Sequence, residues 1–217
     1  MKVFFFGDSI CYGQGISLHK GWIPKISSAF EDNKLDVLVA NSAVNGRTTR
    51  QALETMPFEI QNHKPEILIV QFGMNDCNYW LSDKGLPRVS KKSFKANLEE
   101  IISRGFNFGC KKIFLNTNHS TLKNEKLSFS NISLSYQESN KQYNEIIREV
   151  ASGLTKNVIL NNLEKVFIET CNEKKYNLSD LLLEDKIHLS TKGHEIYFNT
   201  IFFKIIDEVK KINQNEI

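Results

Sequence analysis

Five short apolar runs, each followed by a loop and then an amphipathic segment, constrain this chain more than any other feature. The runs are Lys2–Phe6, Leu35–Ala40, Ile67–Phe72, Lys112–Asn116 and Val158–Leu160. They are too short for core helices and rich in Val, Ile and Phe, so they read as strands. Between and after them, Trp22–Phe30, Arg50–Ile60, Ser93–Arg104, Gln137–Gly153 and Thr191–Ile212 carry apolar residues at helical spacing. In the last of these, Ile196, Ile201, Phe202, Ile205, Ile206 and Val209 form one side. Val166–Cys171 and Leu178–Leu183 read as short helical pieces. Thr48 or Thr49 supplies an N-cap before Arg50. Strands that alternate with helices pair in parallel, and a parallel sheet needs helices on both faces. No internal repeat, linker or shift in composition divides the chain, so one domain over residues 1–217 is expected.

Composition narrows the function classes. Of 217 residues, 41% are hydrophobic and 24% charged, which is ordinary for a packed globular domain. The net charge of +3 comes from interleaved Lys and Glu rather than a basic block, so nucleic-acid binding is not expected. Cys11, Cys77, Cys110 and Cys171 are widely spaced with no C-x-x-C, which suggests reduced thiols rather than zinc or a disulfide framework. The sequence opens directly on the first strand, without a leader pattern, and no apolar stretch reaches membrane-spanning length. The expected location is the cytoplasm.

In a parallel sheet the C-terminal ends of all strands share one edge, and ligands bind there. Three loops at that edge carry chemistry. Gly7-Asp8-Ser9-Ile10 places a serine after the first strand, Asn41–Thr48 places Gly46 after the second, and Gly73-Met74-Asn75-Asp76 places Asn75 after the third. A serine hydroxyl is a poor nucleophile until a base takes its proton. Histidine suits that task when a carboxylate fixes its tautomer. Asp185 and His188 lie three residues apart in one loop, a spacing that can bring the carboxylate to the far imidazole nitrogen and leave the near one for Ser9, and that also fits a plain surface turn. A tetrahedral intermediate also needs donors aimed at its oxyanion. The backbone N–H groups of Ser9 and Gly46 and the side-chain amide of Asn75 are the candidates.

These four blocks, in this order and spacing, resemble the signature blocks of the SGNH (GDSL-type) hydrolases. The run from Ile187 to His194 is similar to that family's usual continuation. Ile10 stands where the family often has leucine, and the Gly46 block is short and variable. The resemblance implies a flavodoxin-like, three-layer α/β/α sandwich on a five-stranded parallel sheet. It implies hydrolysis of an ester or thioester through an acyl-enzyme, with no metal or organic cofactor. In that scheme Ser9 is nucleophile and oxyanion donor, Gly46 and Asn75 are further donors, His188 is the base and Asp185 orients it.

Other residues allow two readings. Tyr79 and Trp80 are either a platform for an acyl or sugar group or aromatic core. His119 either lines the pocket or is a solvated loop residue. Asp8 and Asp76 brace their turns, and Asp8 is also a candidate substrate contact. His194 is structural, and Cys11 is assigned no chemistry. The polar stretch Asn118–Tyr136 is either a rim of the site or a surface insertion.

Competing enzyme classes fit less well. Cys11 stands where the G-x-S-x-G elbow of α/β-hydrolases needs glycine. No G-x-G-x-x-G opens the first helix, and the D-x-H block of metallophosphoesterases is missing. An acyltransferase with the same triad and a catalytically silent binding protein stay open. The expected substrate is a small-molecule ester, most simply acetyl on a carbohydrate, because no long apolar lid is present and Asn118–Tyr136 is polar. Thioesterase and lysophospholipase activities are the alternatives.

Overall fold

The computed structural model describes residues 1–153 and 157–214. Five strands, β1 (Lys2–Gly7), β2 (Leu38–Asn41), β3 (Ile67–Gln71), β4 (Lys112–Asn116) and β5 (Val158–Asn161), form one sheet in the order β2-β1-β3-β4-β5. Every pairing is parallel. This is the flavodoxin-like order, with the switch point between β1 and β3. β1 pairs Val3 with Ile67 and Gly7 with Gln71, so the loops after β1 and β3 emerge side by side.

Central strands must shed water on both faces. Val3, Phe5 and Phe6 of β1 and Ile67, Leu68 and Ile69 of β3 are all fully buried. Each such side chain contributes about 1.5–3 kcal/mol on leaving water. β2 is an edge strand. It begins at Leu38 rather than Leu35, because Leu35–Val37 turns through local backbone hydrogen bonds before meeting β1, and Leu38 stays exposed.

The helices are α1 (Ser9–Tyr12), α2 (Trp22–Asp32), α3 (Thr49–Glu59), α4 (Lys91–Asn107), α5 (Tyr136–Gly153), α6 (Leu163–Asn172), α7 (Leu178–Leu181) and α8 (Thr191–Gln214). Helix α4 packs against α3 and α5 in one layer, and α8 packs against α2, α6 and α7 in the other. Trp22 anchors the second layer. It is fully buried, its indole N–H donates to the Ile10 carbonyl at 2.9 Å, and its ring meets Phe5 edge-on. Among the described residues no helix is long and apolar enough to cross a membrane.

Two departures from the sequence reading affect the site. Helix α1 lies within a stretch that reads as loop. Asp8 caps it and Gly13, at φ +79°, ends it after one turn, too few residues to show a helical period. Leu178–Leu183 is helical only as far as Leu181. Leu182 then forms an antiparallel bridge to Leu189 and so closes the loop that carries Asp185 and His188.

Candidate active site

The sheet edge assembles the candidate residues from four loops. Gly7 ends β1 where no side chain fits: an added Cβ would lie 2.5 Å from Cys11 Sγ and 2.8 Å from the Gln71 carbonyl oxygen. The chain turns at once, and Asp8 Oδ1 accepts from the Ile10 N–H at 3.0 Å, starting α1 with Ser9 as its first residue.

The far side of the cleft is the Asp185–His188 turn. Lys186 takes a left-handed φ of +67°, which folds the loop back on itself. Asp185 Oδ1 accepts the backbone N–H groups of Ile187 and His188, each at 2.9 Å. Its Oδ2 lies 2.5 Å from His188 Nδ1, and His188 Nε2 lies 2.8 Å from Ser9 Oγ. An ionised carboxylate only accepts, so Nδ1 carries the proton and Nε2 presents its lone pair to the serine hydroxyl. Partial burial opposes the Asp185 charge, but the His188 ring and the two backbone amides together hold its carboxyl below the usual range.

The remaining loops bring Gly46 and Asn75 to the same edge. Gly46 has φ +77° with open space where a Cβ would be, so backbone conformation rather than packing calls for glycine. Asn75 Nδ2 donates to Asp8 Oδ2 at 3.2 Å and keeps a second N–H. Asp76 locks the two loops together: its buried Oδ1 accepts from Thr49 N at 2.9 Å and Thr49 Oγ1 at 2.5 Å, at the start of α3. Burial, reinforced by the Asp76 carboxylate, pushes the Asp8 carboxyl up to about 7 against the pull of its hydrogen bonds. Burial likewise raises Asp76 to about 6.

Several expectations need correction. Asp8 is fully buried beneath Ser9 with both oxygens engaged, so it is no substrate contact. His119 neither lines the cleft nor meets solvent. It is fully buried, with Nδ1 2.8 Å from Tyr197 Oη, Nε2 2.8 Å from the Ile187 carbonyl oxygen, and its ring stacked on Phe167. Burial lowers it to about 4, so it stays neutral and supports the His188 turn from behind. Tyr79 is buried as well, whereas Trp80 is 46% exposed and faces a cleft of about 490 Å³ with Gly46, Gln51, Glu54 and Arg88. The polar stretch beginning at Asn118 is buried through Thr121 and borders the His188 loop from Leu122 on: Leu122 N donates to the Lys186 carbonyl at 3.1 Å, and Lys186 pairs with Glu125 at 3.2 Å.

Sequence reasoning missed the polar face of α5 and Arg88. Tyr136, Ser139, Asn140, Tyr143 and Asn144 are buried on one side of α5. Their side chains hold the site loops: Tyr136 Oη donates to the Met74 carbonyl, Ser139 to the Cys77 carbonyl and Asn140 to the His119 carbonyl. The signal was available as polar residues recurring at helical spacing on the face turned inward. Arg88 donates to the Gly46 carbonyl at 3.0 Å and to Asn75 Oδ1 at 3.4 Å, with its guanidinium 3.6 Å above the Trp80 ring. Nothing in its local sequence marks it.

The profile of the GDSL-like lipase/acylhydrolase family matches residues 5–196, a span that holds every residue of the constellation. The chain belongs to that family. Among relatives, an arylesterase of Vibrio mimicus is 28% identical over 102 residues, 47% of this chain and 47% of the arylesterase. The chain thus spans about half the length of the curated relatives it matches. Two solved structures show the same fold. A lipase/acylhydrolase from Enterococcus faecalis superposes with a TM-score of 0.73 at 22% identity, covering 94% of both chains. An acetylxylan esterase from Geobacillus stearothermophilus superposes with a TM-score of 0.75 at 20% identity, covering 94% of this chain and 93% of the other.

Proposed function

We propose that this protein hydrolyses a carboxylic ester through an acyl-enzyme on Ser9, and that the acyl group is small, most simply acetyl on a carbohydrate. The observation that carries the reading is the unbroken hydrogen-bond chain from Asp185 through His188 to Ser9 Oγ. In this scheme His188 Nε2 takes the hydroxyl proton as Oγ attacks the carbonyl carbon. The backbone N–H groups of Ser9 and Gly46 and the second N–H of Asn75 stabilise the oxyanion. The imidazolium, steadied by Asp185, gives its proton to the leaving alkoxide. Water then enters, His188 deprotonates it, and the carboxylic acid leaves as Ser9 regains its proton.

Two observations support a small, polar substrate. The cleft beside Gly46 is lined by Gln51, Glu54 and Arg88 around one exposed aromatic face, a surface suited to a hydroxylated ring. A second cleft of about 370 Å³ beside Ile187 mixes Leu127 and Tyr136 with Asn78, Lys123 and Lys126. The neighbouring folds include an acetylxylan esterase, and one relative is an arylesterase.

The test is turnover of a p-nitrophenyl ester series, acetate through palmitate, by wild type and Ser9→Ala. Turnover is expected to peak at acetate and to vanish with Ser9. Activity confined to long chains would overturn the small-acyl reading, and full turnover by the Ser9→Ala variant would overturn the serine mechanism.

A further inference from the structure

We infer that Arg88 is a positioning residue for the oxyanion site, its guanidinium fixing which end of the Asn75 amide faces the substrate and tying the Gly46 loop to it. This rests on the ester-hydrolase reading given above. The two ends of an asparagine amide have nearly the same shape, so packing alone does not choose between them. The choice matters here: one orientation offers N–H to a developing oxyanion, and the other offers a carbonyl oxygen that repels it.

Two neighbours set the orientation in this protein. Asp8 Oδ2 accepts from Asn75 Nδ2 on one side, and Arg88 donates to Asn75 Oδ1 on the other. The two are not equally dependable. A carboxyl buried as Asp8 is becomes a donor when it takes a proton, and it then no longer selects the amide nitrogen. A guanidinium is always charged and only donates. Arg88 therefore carries the discrimination under all conditions. Its bond to Oδ1 is long, at 3.4 Å, so the contact orients the amide more than it binds it.

Arg88 is itself held from three directions. Its backbone N–H donates to the Asn78 carbonyl at 2.9 Å, and the next residue, Val89, donates to the Asp76 carbonyl at 3.1 Å, so its Cα rides on the Asn75 loop. The guanidinium carbon sits over the Trp80 ring, 3.6 Å from its centroid, and the Gly46 carbonyl accepts from the same Nη1 that reaches Asn75. One side chain thus joins two loops that approach from different strands, each carrying one proposed donor. Lysine has a single rotating ammonium and no planar face to lie on the indole, so it cannot reproduce this bridge.

The experiment combines turnover with a measurement that needs no turnover. Wild type, Ser9→Ala, Arg88→Ala, Arg88→Lys, Asn75→Ala and the Arg88→Ala/Asn75→Ala double variant are assayed on p-nitrophenyl acetate. Arg88→Ala is expected to lower kcat by about tenfold to a hundredfold, somewhat less than loss of a donor, with KM within about twofold. Free guanidinium should restore part of the rate, and Arg88→Lys should recover little. Because part of its effect runs through Asn75 and part through the Gly46 loop, Arg88→Ala should cost clearly less in the Asn75→Ala background than in wild type. The side-chain amide resonances of Asn75, assigned by their loss in Asn75→Ala, should shift and broaden in Arg88→Ala as the amide samples both orientations.

Unchanged amide resonances, or costs of the two single variants that simply multiply, overturn the proposal. Turnover that needs Ser9 but ignores Arg88 overturns it alone. Turnover that survives loss of Ser9 overturns the ester-hydrolase reading and this inference together.

Discussion

Asp185 shows what a short loop can do for one carboxylate. Its side chain is 45% exposed, yet three N–H groups converge on it: the His188 ring and the amides of Ile187 and His188. Replacing it with asparagine keeps the size but loses the acceptor that fixes the imidazole tautomer. Asp185→Asn is therefore expected to lower kcat by about a thousandfold or more, measured on the best ester substrate. Asn75→Ala should cost about a hundredfold to a thousandfold, and an Asn75→Ala variant with wild-type kcat would remove Asn75 from the oxyanion site. Residues like these were legible in the sequence because each sits just past an apolar run or within one compact turn, so position along the chain implies position in space. Arg88 and His119 were not. Arg88 is one basic residue in an irregular stretch, and its partners Gly46 and Asn75 come from other loops. His119 finds Tyr197 across 78 residues and the Ile187 carbonyl across 68. Such pairings exist only after the chain has packed.

Elements whose signal is local were read nearly to their ends. Thr48 caps α3 through a capping box with Gln51, visible as T-x-x-Q ahead of the helix. Helix α1 is a single turn and has no period to read, and β2 is shorter than its apolar run because Leu35–Val37 turns through local hydrogen bonds before meeting β1. The start of α3 carries more than its own cap. Thr49 Oγ1 donates to the buried Asp76 carboxylate and accepts from Asn97 Nδ2 at 2.9 Å, joining α3, α4 and the Asn75 loop. Thr49→Val keeps the shape and removes both bonds. Urea unfolding should show a loss of about 1–3 kcal/mol, the scale for leaving a buried polar partner unsatisfied. An unchanged midpoint would show that the junction does not rely on this hydroxyl.

At the scale of the whole molecule, the sheet order places groups 179 residues apart, Ser9 and His188, within hydrogen-bond reach, so the site exists only when both ends of the chain have joined the fold. The same assembly buries titratable groups of opposite preference around that edge. His119 and His194 are held neutral, lowered to about 4 and about 3 by burial, while burial raises Asp8 to about 7 and Asp76 to about 6. Linkage gives the signs. The unfolded chain binds more protons at the two histidines between their folded values and about 6.5, so their contribution to stability falls as pH drops through that window. The folded chain binds more protons at the two aspartates between about 4 and their raised values, so their contribution rises as pH drops through nearly the same window. Between about pH 4 and pH 6 the contributions of these two pairs therefore oppose each other. Asp8→Asn removes one of the two rising terms. Relative to wild type, this variant should gain on the order of 2 kcal/mol in going from pH 5 to pH 8, at about 1.4 kcal/mol per pKa unit of separation. Urea titrations of both proteins at those two values check it. A wild-type-to-variant difference that stays constant with pH would mean that Asp8 is ionised throughout, and that the Ile10 and Asn75 hydrogen bonds outweigh its burial.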